Sequence, residues 1–316
     1  MICERNDQRL APSLQSSILR ETQLLRTRLC RGSTRASDMA NCTKKSYSTL
    51  AVSMPSDGVV HVELNRPDKL NAMNQAFFPE MRALFDALAS DDEVRAVVLS
   101  GRGRVFSAGL DLRDAGSAPE GDDVARQAWY WRRHVLELQE AFNAVERCPK
   151  PVIACVHSAA VGGAIDLIAA CDVRLAAADA SFCVKEVQVG IAADLGTLQR
   201  LPKVIGNQSL VRELSLTGRK MAAAEALSCG LVSGPALHAD RAACVAAGLA
   251  MAADIAALSP VAVQTTKVQL NFAREHTTAE GLDYVATFNG AMLQSEDVML
   301  AMRASLGKTK AEFSKL

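Results

Sequence analysis

The chain is poor in aromatic residues, has no excess of charge and contains no long apolar run. Only 4% of its 316 residues are Phe, Trp or Tyr, which disfavours an aromatic surface that stacks on nucleic acid bases. Lys plus Arg and Asp plus Glu number 35 each, so no net charge attracts nucleic acid or an anionic membrane. No segment has the roughly 20 apolar residues that a membrane-spanning helix needs. We therefore expect neither nucleic acid nor membrane as a partner.

The nine cysteines are odd in number and form no C-x-x-C pair, which argues against a disulfide framework and against a zinc site. Several lie inside apolar runs, such as Cys155 within 152–156, where a thiol packs as a small hydrophobic group. We expect reduced thiols. With 49% hydrophobic and 22% charged residues, the chain is long enough to bury a large core.

Both ends of the chain carry features of targeting signals. Residues 1–46 contain nine basic and four acidic side chains, and this composition fits either a disordered tail or a mitochondrial transit segment. The last three residues, Ser314, Lys315 and Leu316, match the peroxisomal address that an import receptor reads. We predict location in the peroxisome or a glycosome-type organelle, the import receptor as a partner, and a second location in the mitochondrion if residues 1–50 act as a transit segment.

Strands and helices alternate in the first part of the chain, and only helices follow Asp194. Alternating or buried apolar runs predict strands at 59–64, 94–100, 152–157, 172–176 and 181–185. Apolar residues at helical spacing predict helices at 75–88, 122–147 and 163–170, and seven more between 195 and 306. This order predicts an α/β core followed by a helical C-terminal region.

Two glycine-containing turns follow different predicted strands. Ala108 lies in Ser-Ala-Gly, and Gly163 lies in Gly-Gly-Ala at the start of a predicted helix. Backbone N–H groups at such turns can converge on an anionic oxygen, with help from the helix dipole. If the N–H groups of Ala108 and Gly163 meet, they form an oxyanion hole suited to an enolate. Alternatively, the glycines allow tight packing between a helix and a strand.

Three carboxylates, Asp166, Glu186 and Asp194, recur in a mostly apolar stretch. Acidic side chains are seldom buried unless they are paired or take part in chemistry. Clustered in a dry pocket, they raise one another's pKa, so that one acid can be protonated while another is ionised. Two alternatives remain: Glu186 pairs with Lys185 or Arg200, and Asp194 caps a helix that begins at Leu195.

From Val59 to the C-terminus the chain resembles the crotonase (enoyl-CoA hydratase/isomerase) superfamily. Segments 162–166, 184–187 and 192–202 are similar to those of its 3,5-2,4-dienoyl-CoA isomerase branch. The resemblance implies a crotonase-like spiral of βαβ units over 51–235, after a disordered or targeting segment 1–50. It also implies a helical trimerisation subdomain over 236–316, and a homotrimer or a hexamer as the assembly.

The resemblance also implies roles for the residues singled out above. The N–H groups of Ala108 and Gly163 hold the thioester oxygen of an acyl-CoA, and Glu186 and Asp194 transfer protons, with Asp166 beside them. Coenzyme A is part of the substrate, so neither a cofactor nor a metal is required. The substrate-binding residues are expected to be Ala108, Gly109, Leu110, Asp111, Leu112 and Gly163.

The implied reaction converts a 3,5-dienoyl-CoA to the 2,4-dienoyl-CoA during β-oxidation of unsaturated fatty acids. One acid removes a proton at carbon 2 and another protonates carbon 6, and the sequence leaves open which acid serves which carbon. Typical hydratases of the superfamily have Glu at the position of Asp166 and Gly at that of Asp194. The alternatives are an enoyl-CoA hydratase and a non-catalytic homologue that binds RNA or acts as a scaffold.

Overall fold

The computed structural model describes residues 45–114, 121 and 123–316; the predicted targeting segment lies outside the described residues as far as residue 44. The eight strands found there are β1 (Leu50–Ser56), β2 (Val59–Leu64), β3 (Ala96–Gly101), β4 (Val152–Val156), β5 (Ala159–Val161), β6 (Val173–Ala176), β7 (Ser181–Cys183) and β8 (Met221–Ala222). The α-helices there are α1 (Phe77–Ala89), α2 (Val124–Arg147), α3 (Gly163–Ala169), α4 (Thr197–Val204), α5 (Gln208–Thr217), α6 (Ala223–Ser228), α7 (Arg241–Ala256), α8 (Pro260–Ala273), α9 (Thr278–Met292) and α10 (Glu296–Gly307).

The main sheet has five strands in the order β1-β2-β3-β4-β6. Strands β2, β3, β4 and β6 are parallel, and β1 pairs antiparallel with β2 at the edge. Every residue of β3 and β4 is buried, as expected for parallel strands covered on both faces. Strand β1 was not predicted from the sequence, because only Leu50 of this strand is buried and no alternating pattern marks it.

Helices cover both faces of this sheet. On one face, α1 and α2 meet through aromatic rings, with the centroids of Phe78 and Phe142 6.0 Å apart. On the other face, α7 packs its small residues against the strands; a Cβ atom added to Gly248 would lie 2.3 Å from Cys155 Sγ. Helix α7 therefore belongs to the packing of the sheet, although it lies beyond the boundary predicted after residue 235. The described residues form one compact unit.

A second sheet of three short strands, in the order β5-β7-β8, positions the two segments that carry the predicted site. Strands β5 and β7 are parallel, with Val161 opposite Cys183. The strand predicted over 181–185 ends at Cys183, whose carbonyl accepts the N–H of Gly162, and the chain then turns into a 3-10 helix, Glu186–Val189. The pairing therefore places the start of α3 beside the start of this 3-10 helix.

The C-terminal helices are the least buried part of the described chain. Helix α9 has no buried residue. Within residues 45–114 and 123–316, no single helix combines the length and apolar composition that a membrane crossing needs, although α7 and α8, bent at 112° to each other, satisfy both as a pair.

Candidate active site

One N–H group in the backbone segment 107–111 makes no hydrogen bond to the rest of the described chain, although the groups on either side of it bond to Met73. Met73 N donates to Gly109 O at 2.7 Å, and Asp111 N donates to Met73 O at 2.9 Å. Between these two bonds lies the N–H of Leu110, which makes no hydrogen bond to any of the described residues.

A second free N–H belongs to Gly163, the first residue of α3. The first N–H groups of a helix have no acceptor within the helix, and in the described part of the chain none outside it bonds Gly163 N. A Cβ atom added to Gly163 would lie 3.9 Å from Leu110 N, and one added to Gly109 would lie 3.3 Å from Gly163 N. The N–H groups of Leu110 and Gly163 are therefore the two free donors at this point of close approach.

This geometry corrects the role predicted for Ala108. The N–H of Ala108 donates to Leu70 O at 2.9 Å, so it has no free hydrogen for a ligand oxygen. The prediction of Ala108 as a donor of the oxyanion hole is wrong on this geometry, and Leu110, two residues later, takes that position. Residue identity did not reveal the difference, because any residue except proline carries an N–H.

Asp166 lies in the first turn of α3, where it is 1% exposed. Its Oδ1 accepts the N–H of Thr197, the first residue of α4, at 2.5 Å. Residue 196, at the N-terminal cap of α4, is a glycine without a capping side chain, so Asp166 supplies the cap from another helix. Burial raises the pKa of Asp166 to about 6, although the Thr197 N–H favours the ionised form.

Glu186 begins the 3-10 helix after β7, and it is 9% exposed. Its Oε1 would lie 3.2 Å from a Cβ atom added to Gly162, the residue before the Gly163 donor. Its Oε2 is buried and has no hydrogen-bond partner among the described residues. Burial, followed by repulsion from the carboxylates of Asp166 and Asp194, raises the pKa of Glu186 to about 7.

Asp194 lies at the exposed side of the same cluster. Its backbone carbonyl accepts a hydrogen bond from Gln139 of α2 at 2.6 Å. Partial burial raises the pKa of Asp194, and the nearby His134 opposes this rise. Asp194 therefore combines a perturbed carboxyl group with access to a ligand.

The structure excludes the alternatives that left these acids without a chemical role. Helix α4 begins at Thr197 with Gly196 as its cap, so Asp194 is not the cap. Lys185 contacts Gln188, and Arg200 forms its ion pair with Glu146, at 2.8 Å, rather than with Glu186. Glu186 therefore has neither of the ion-pair partners considered for it.

The remaining predicted substrate-binding residues lead away from the free donors toward a basic cleft. Asp111 forms an ion pair with Arg66 at 3.0 Å, which holds the pKa of Asp111 below its usual range, and Leu112 is 63% exposed. The cleft has a volume of about 310 Å³ and is lined by Arg66, Lys69, Ala72, Asp111, Arg113 and Asp114. Three cations against two acids give it a positive balance that suits a phosphorylated ligand.

An aromatic segment beside Asp194 escaped the sequence analysis. Trp129, Tyr130 and Trp131 are consecutive in α2, and they include both tryptophans of the chain. The rings of Tyr130 and His134 stack with centroids 6.1 Å apart, and Trp131 is 38% exposed. In a chain so poor in aromatic residues, this concentration was the signal that could have drawn attention to this part of α2, where the charge of His134 acts on Asp194.

The arrangement as a whole unites two backbone donors with three carboxyl groups of raised pKa. Two N–H groups aimed at one point can stabilise an oxyanion, and acids with pKa values near neutrality can both release and accept protons. The site therefore has the groups that proton transfer next to a carbonyl requires. The basic cleft adjoins the donor segment through Asp111.

Comparison with known proteins identifies the family of the chain. The Enoyl-CoA hydratase/isomerase family matches residues 55–315. The chain is 53% identical to the human "Delta(3,5)-Delta(2,4)-dienoyl-CoA isomerase, mitochondrial", over 86% of this chain and 84% of the relative. It is 41% identical to the Arabidopsis thaliana isomerase named peroxisomal, over 87% of this chain and all of the relative. The crystal structure of an enoyl-CoA hydratase from Bacillus anthracis superposes with a TM-score of 0.76 at 27% identity, over 84% of this chain and 99% of that chain. The chain belongs to the enoyl-CoA hydratase/isomerase family.

Proposed function

We propose that the protein converts 3,5-dienoyl-CoA to 2,4-dienoyl-CoA. The observation that carries this proposal is the presence of two acids with raised pKa, Glu186 and Asp194, beside the Leu110 and Gly163 donors. Moving two conjugated double bonds requires one group that removes a proton near the thioester and another that returns a proton further along the chain. Relatives that share half of this sequence are named for the same reaction.

The proposed reaction passes through an enolate. One carboxylate removes a proton from carbon 2, and the thioester oxygen takes up the charge, held by the N–H groups of Leu110 and Gly163. The electrons then form the carbon 2–carbon 3 and carbon 4–carbon 5 double bonds while the second acid protonates carbon 6. Atoms and charge balance without a redox cofactor or a metal, and coenzyme A remains part of the substrate.

Exchange of protons with solvent can assign Glu186 and Asp194 to the two carbons. The variants Glu186→Gln and Asp194→Asn are incubated with 3,5-octadienoyl-CoA in D₂O, and deuterium at carbon 2 is measured by mass spectrometry. Loss of the acid that serves carbon 2 abolishes both exchange and product. Loss of the acid that serves carbon 6 abolishes product while exchange at carbon 2 continues, because the enolate still forms.

A hydratase is the nearest competing function, and the environment of Asp166 argues against it. This carboxyl group is 1% exposed, and its Oδ1 is occupied by Thr197 N at 2.5 Å. An acid so enclosed is poorly placed to orient an attacking water molecule. The extra acid at 194 has no role in the addition of water to a simple 2-enoyl-CoA.

The decisive assay uses two substrates with the purified protein. With 3,5-octadienoyl-CoA we expect the absorbance of the conjugated 2,4-dienoyl product to rise. With 2-octenoyl-CoA we expect slow or no loss of the 2-enoyl chromophore. Rapid hydration of 2-octenoyl-CoA without isomerisation of the diene would replace the proposal with the hydratase function.

We also propose that the protein assembles as a homotrimer or a hexamer through its C-terminal helices. Exposed apolar side chains on these helices and the adjoining turns form a surface that a monomer would leave in water; they include Leu258, Leu270, Leu282, Leu293, Met299, Met302 and Leu306. Sedimentation equilibrium should give three or six copies, and a monomer at micromolar concentration would contradict the assembly.

The proposed main compartment is the peroxisome, with the mitochondrion as a second one. Relatives of both compartments support this location, since the Arabidopsis isomerase is named peroxisomal and the human one mitochondrial. A tag placed after Leu316 should block recognition by the import receptor and leave the protein outside peroxisomes. Unchanged import of the tagged protein would refute the signal.

A further inference from the structure

The turn between the 3-10 helix and α4 carries one of the three acids and is hydrogen-bonded to another. Asp194 lies in this turn, and Thr197 at its end donates its N–H to Asp166 at 2.5 Å. A shift of the turn therefore moves Asp194 and changes the hydrogen bond of Asp166 together. The turn itself contains Gly196 with φ +128°, a conformation that residues with a side chain rarely adopt.

Arg200 folds back from the first turns of α4 against this segment. Its Nη1 donates to Leu195 O at 3.4 Å, and a Cβ atom added to Gly196 would lie 2.0 Å from the same nitrogen. The Arg200 side chain is 10% exposed. The guanidinium thus occupies the space that a side chain at position 196 would need, and it contacts the backbone that carries Asp194.

Helix α2 fixes the other side of the guanidinium. Arg200 Nε and Nη2 donate to Glu146 Oε2 at 3.1 and 2.8 Å, and Nη2 also donates to Asn143 Oδ1 at 2.7 Å. The second oxygen of Glu146 accepts from Arg274, which follows α8, at 2.7 Å. Such a buried network contributes little net stability, but it restricts the guanidinium to one position.

We propose that Arg200, held by Glu146, is a positioning residue that fixes the 194–197 turn and thereby the two acids Asp166 and Asp194. This inference rests on the isomerase function proposed above. The charged groups near Asp166 are Glu186, Asp194 and Arg200, and the positive charge of Arg200 lowers the pKa of Asp166 while Asp194 raises it. Arg200 therefore affects both the position of the 194–197 turn and the ionisation of Asp166.

Substitutions at position 200 separate these two effects. Arg200→Lys keeps the positive charge but loses the planar fork that holds Glu146 and Leu195 together. We expect kcat with 3,5-octadienoyl-CoA to fall about 10- to 100-fold with KM nearly unchanged, because small displacements of catalytic groups have effects of this size. Arg200→Met also removes the charge, so the pH at which the acid cluster ionises should move upward by about one unit.

Glu146→Gln tests whether Arg200 acts through its partner. This variant should lower kcat as Arg200→Lys does, and the double variant should be no worse than either single one, because both remove the same restraint. Arg147→Lys is the matched control, since Arg147 lies on the same helix and pairs with Glu140 at 2.7 Å on an exposed surface. We expect this control to retain wild-type kcat.

Amide hydrogen exchange gives a readout that does not depend on activity. In Arg200→Met the Thr197 N–H should exchange faster than in the wild type, whereas Arg147→Lys should leave its exchange unchanged. Wild-type kcat in Arg200→Lys, or unaltered Thr197 exchange and pH profile in Arg200→Met, would overturn the positioning role. An inactive wild-type protein would instead refute the isomerase function, so the two failures are distinguishable.

Discussion

The two halves of the site are built from different chemical groups, backbone N–H groups in one half and side-chain carboxyl groups in the other. The donor half consists of backbone N–H groups at Leu110 and Gly163, whose side chains take no part in it. The acid half consists of the side chains of Asp166, Glu186 and Asp194. Burial raises the pKa of all three, and repulsion between the acids adds to the rise for Asp166 and Glu186. The donor half therefore depends on the path of the chain, and the acid half depends on residue identity and environment.

The two halves therefore respond differently to substitution. A conservative substitution of an acid removes its proton chemistry while the fold remains. The donors survive most substitutions at their own positions, and only a change that moves the backbone, such as a new side chain where none fits, removes them.

The largest loss is expected from the acids of the proton-transfer pair. Asp194→Asn keeps the size of the side chain but cannot exchange a proton, so kcat for 3,5-octadienoyl-CoA should fall about 100- to 10,000-fold. The rise of the 2,4-dienoyl absorbance measures this rate. Asp86→Asn, a change in an exposed acid that pairs with Arg82 on α1, should retain full activity. Full isomerase turnover in Asp194→Asn would rule out the role of this acid.

A methyl group at Gly109 should damage the donor half. Gly109 has φ +84°, and its Cβ atom would lie 2.4 Å from Val161 O, so the 107–111 segment must move away from Gly163. We expect Gly109→Ala to lower kcat about 100- to 1000-fold, the effect of losing one donor of an oxyanion hole.

Gly230→Ala is the control for backbone strain at position 109. Gly230 has a similar φ of +81°, and no described atom lies within 4 Å of its added Cβ. This variant should lose some thermal stability but keep kcat. Equal loss of kcat in the two variants would show that strain alone, rather than displacement of the donors, causes the effect.

Burial of Asp166 should make stability depend on pH with a definite sign. Its pKa rises from 3.8 to about 6 on folding, so the folded state binds the proton more tightly than the unfolded chain. The free energy of unfolding should therefore decrease as pH rises between about 4 and 7, by about 3 kcal/mol for a shift of about two units.

Urea unfolding of Asp166→Asn measures this contribution. The variant keeps an oxygen for Thr197 N but has no titrating group, so its stability should depend less on pH than that of the wild type, while its kcat falls. Asp111→Asn should have the opposite effect on the pH dependence, so that the free energy of unfolding falls more steeply with rising pH than in the wild type. The reason is that the pKa of Asp111 is lowered on folding and its ionised form stabilises the fold. An identical pH dependence in wild type and Asp166→Asn would contradict the burial of a titrating acid.

The smallest effect is expected in the basic cleft, outside both halves. Lys69 is exposed at the edge of this cleft, so its attraction to a CoA phosphate is screened by water. Lys69→Ala should raise KM for the dienoyl-CoA about 2- to 5-fold and leave kcat unchanged. The difference in KM should disappear at about 1 M salt, because ions screen exposed charges. A change in kcat instead of KM would place Lys69 closer to the reacting atoms.

Much of the fold followed from local patterns in the sequence. Buried runs such as 152–156 became β4, and the helical spacing over 75–88 closely matches α1. The short strands β5 and β8 were missed, because two or three residues carry no periodicity and form only where a partner strand meets them. The membership of α7 in the sheet packing also depends on a partner distant in sequence.

Residue identity alone specifies the chemistry of the acid half. Asp166, Glu186 and Asp194 are visible as acids among apolar residues, and their side chains carry the same functional group in any fold. The donor half depends on long-range contacts: the N–H of Leu110 rather than that of Ala108 is free, because Leu70 and Met73 occupy the neighbouring backbone groups. An N–H exists at nearly every position, so its availability is a property of contacts; a carboxyl group is a property of the residue, and only its pKa is set by the fold.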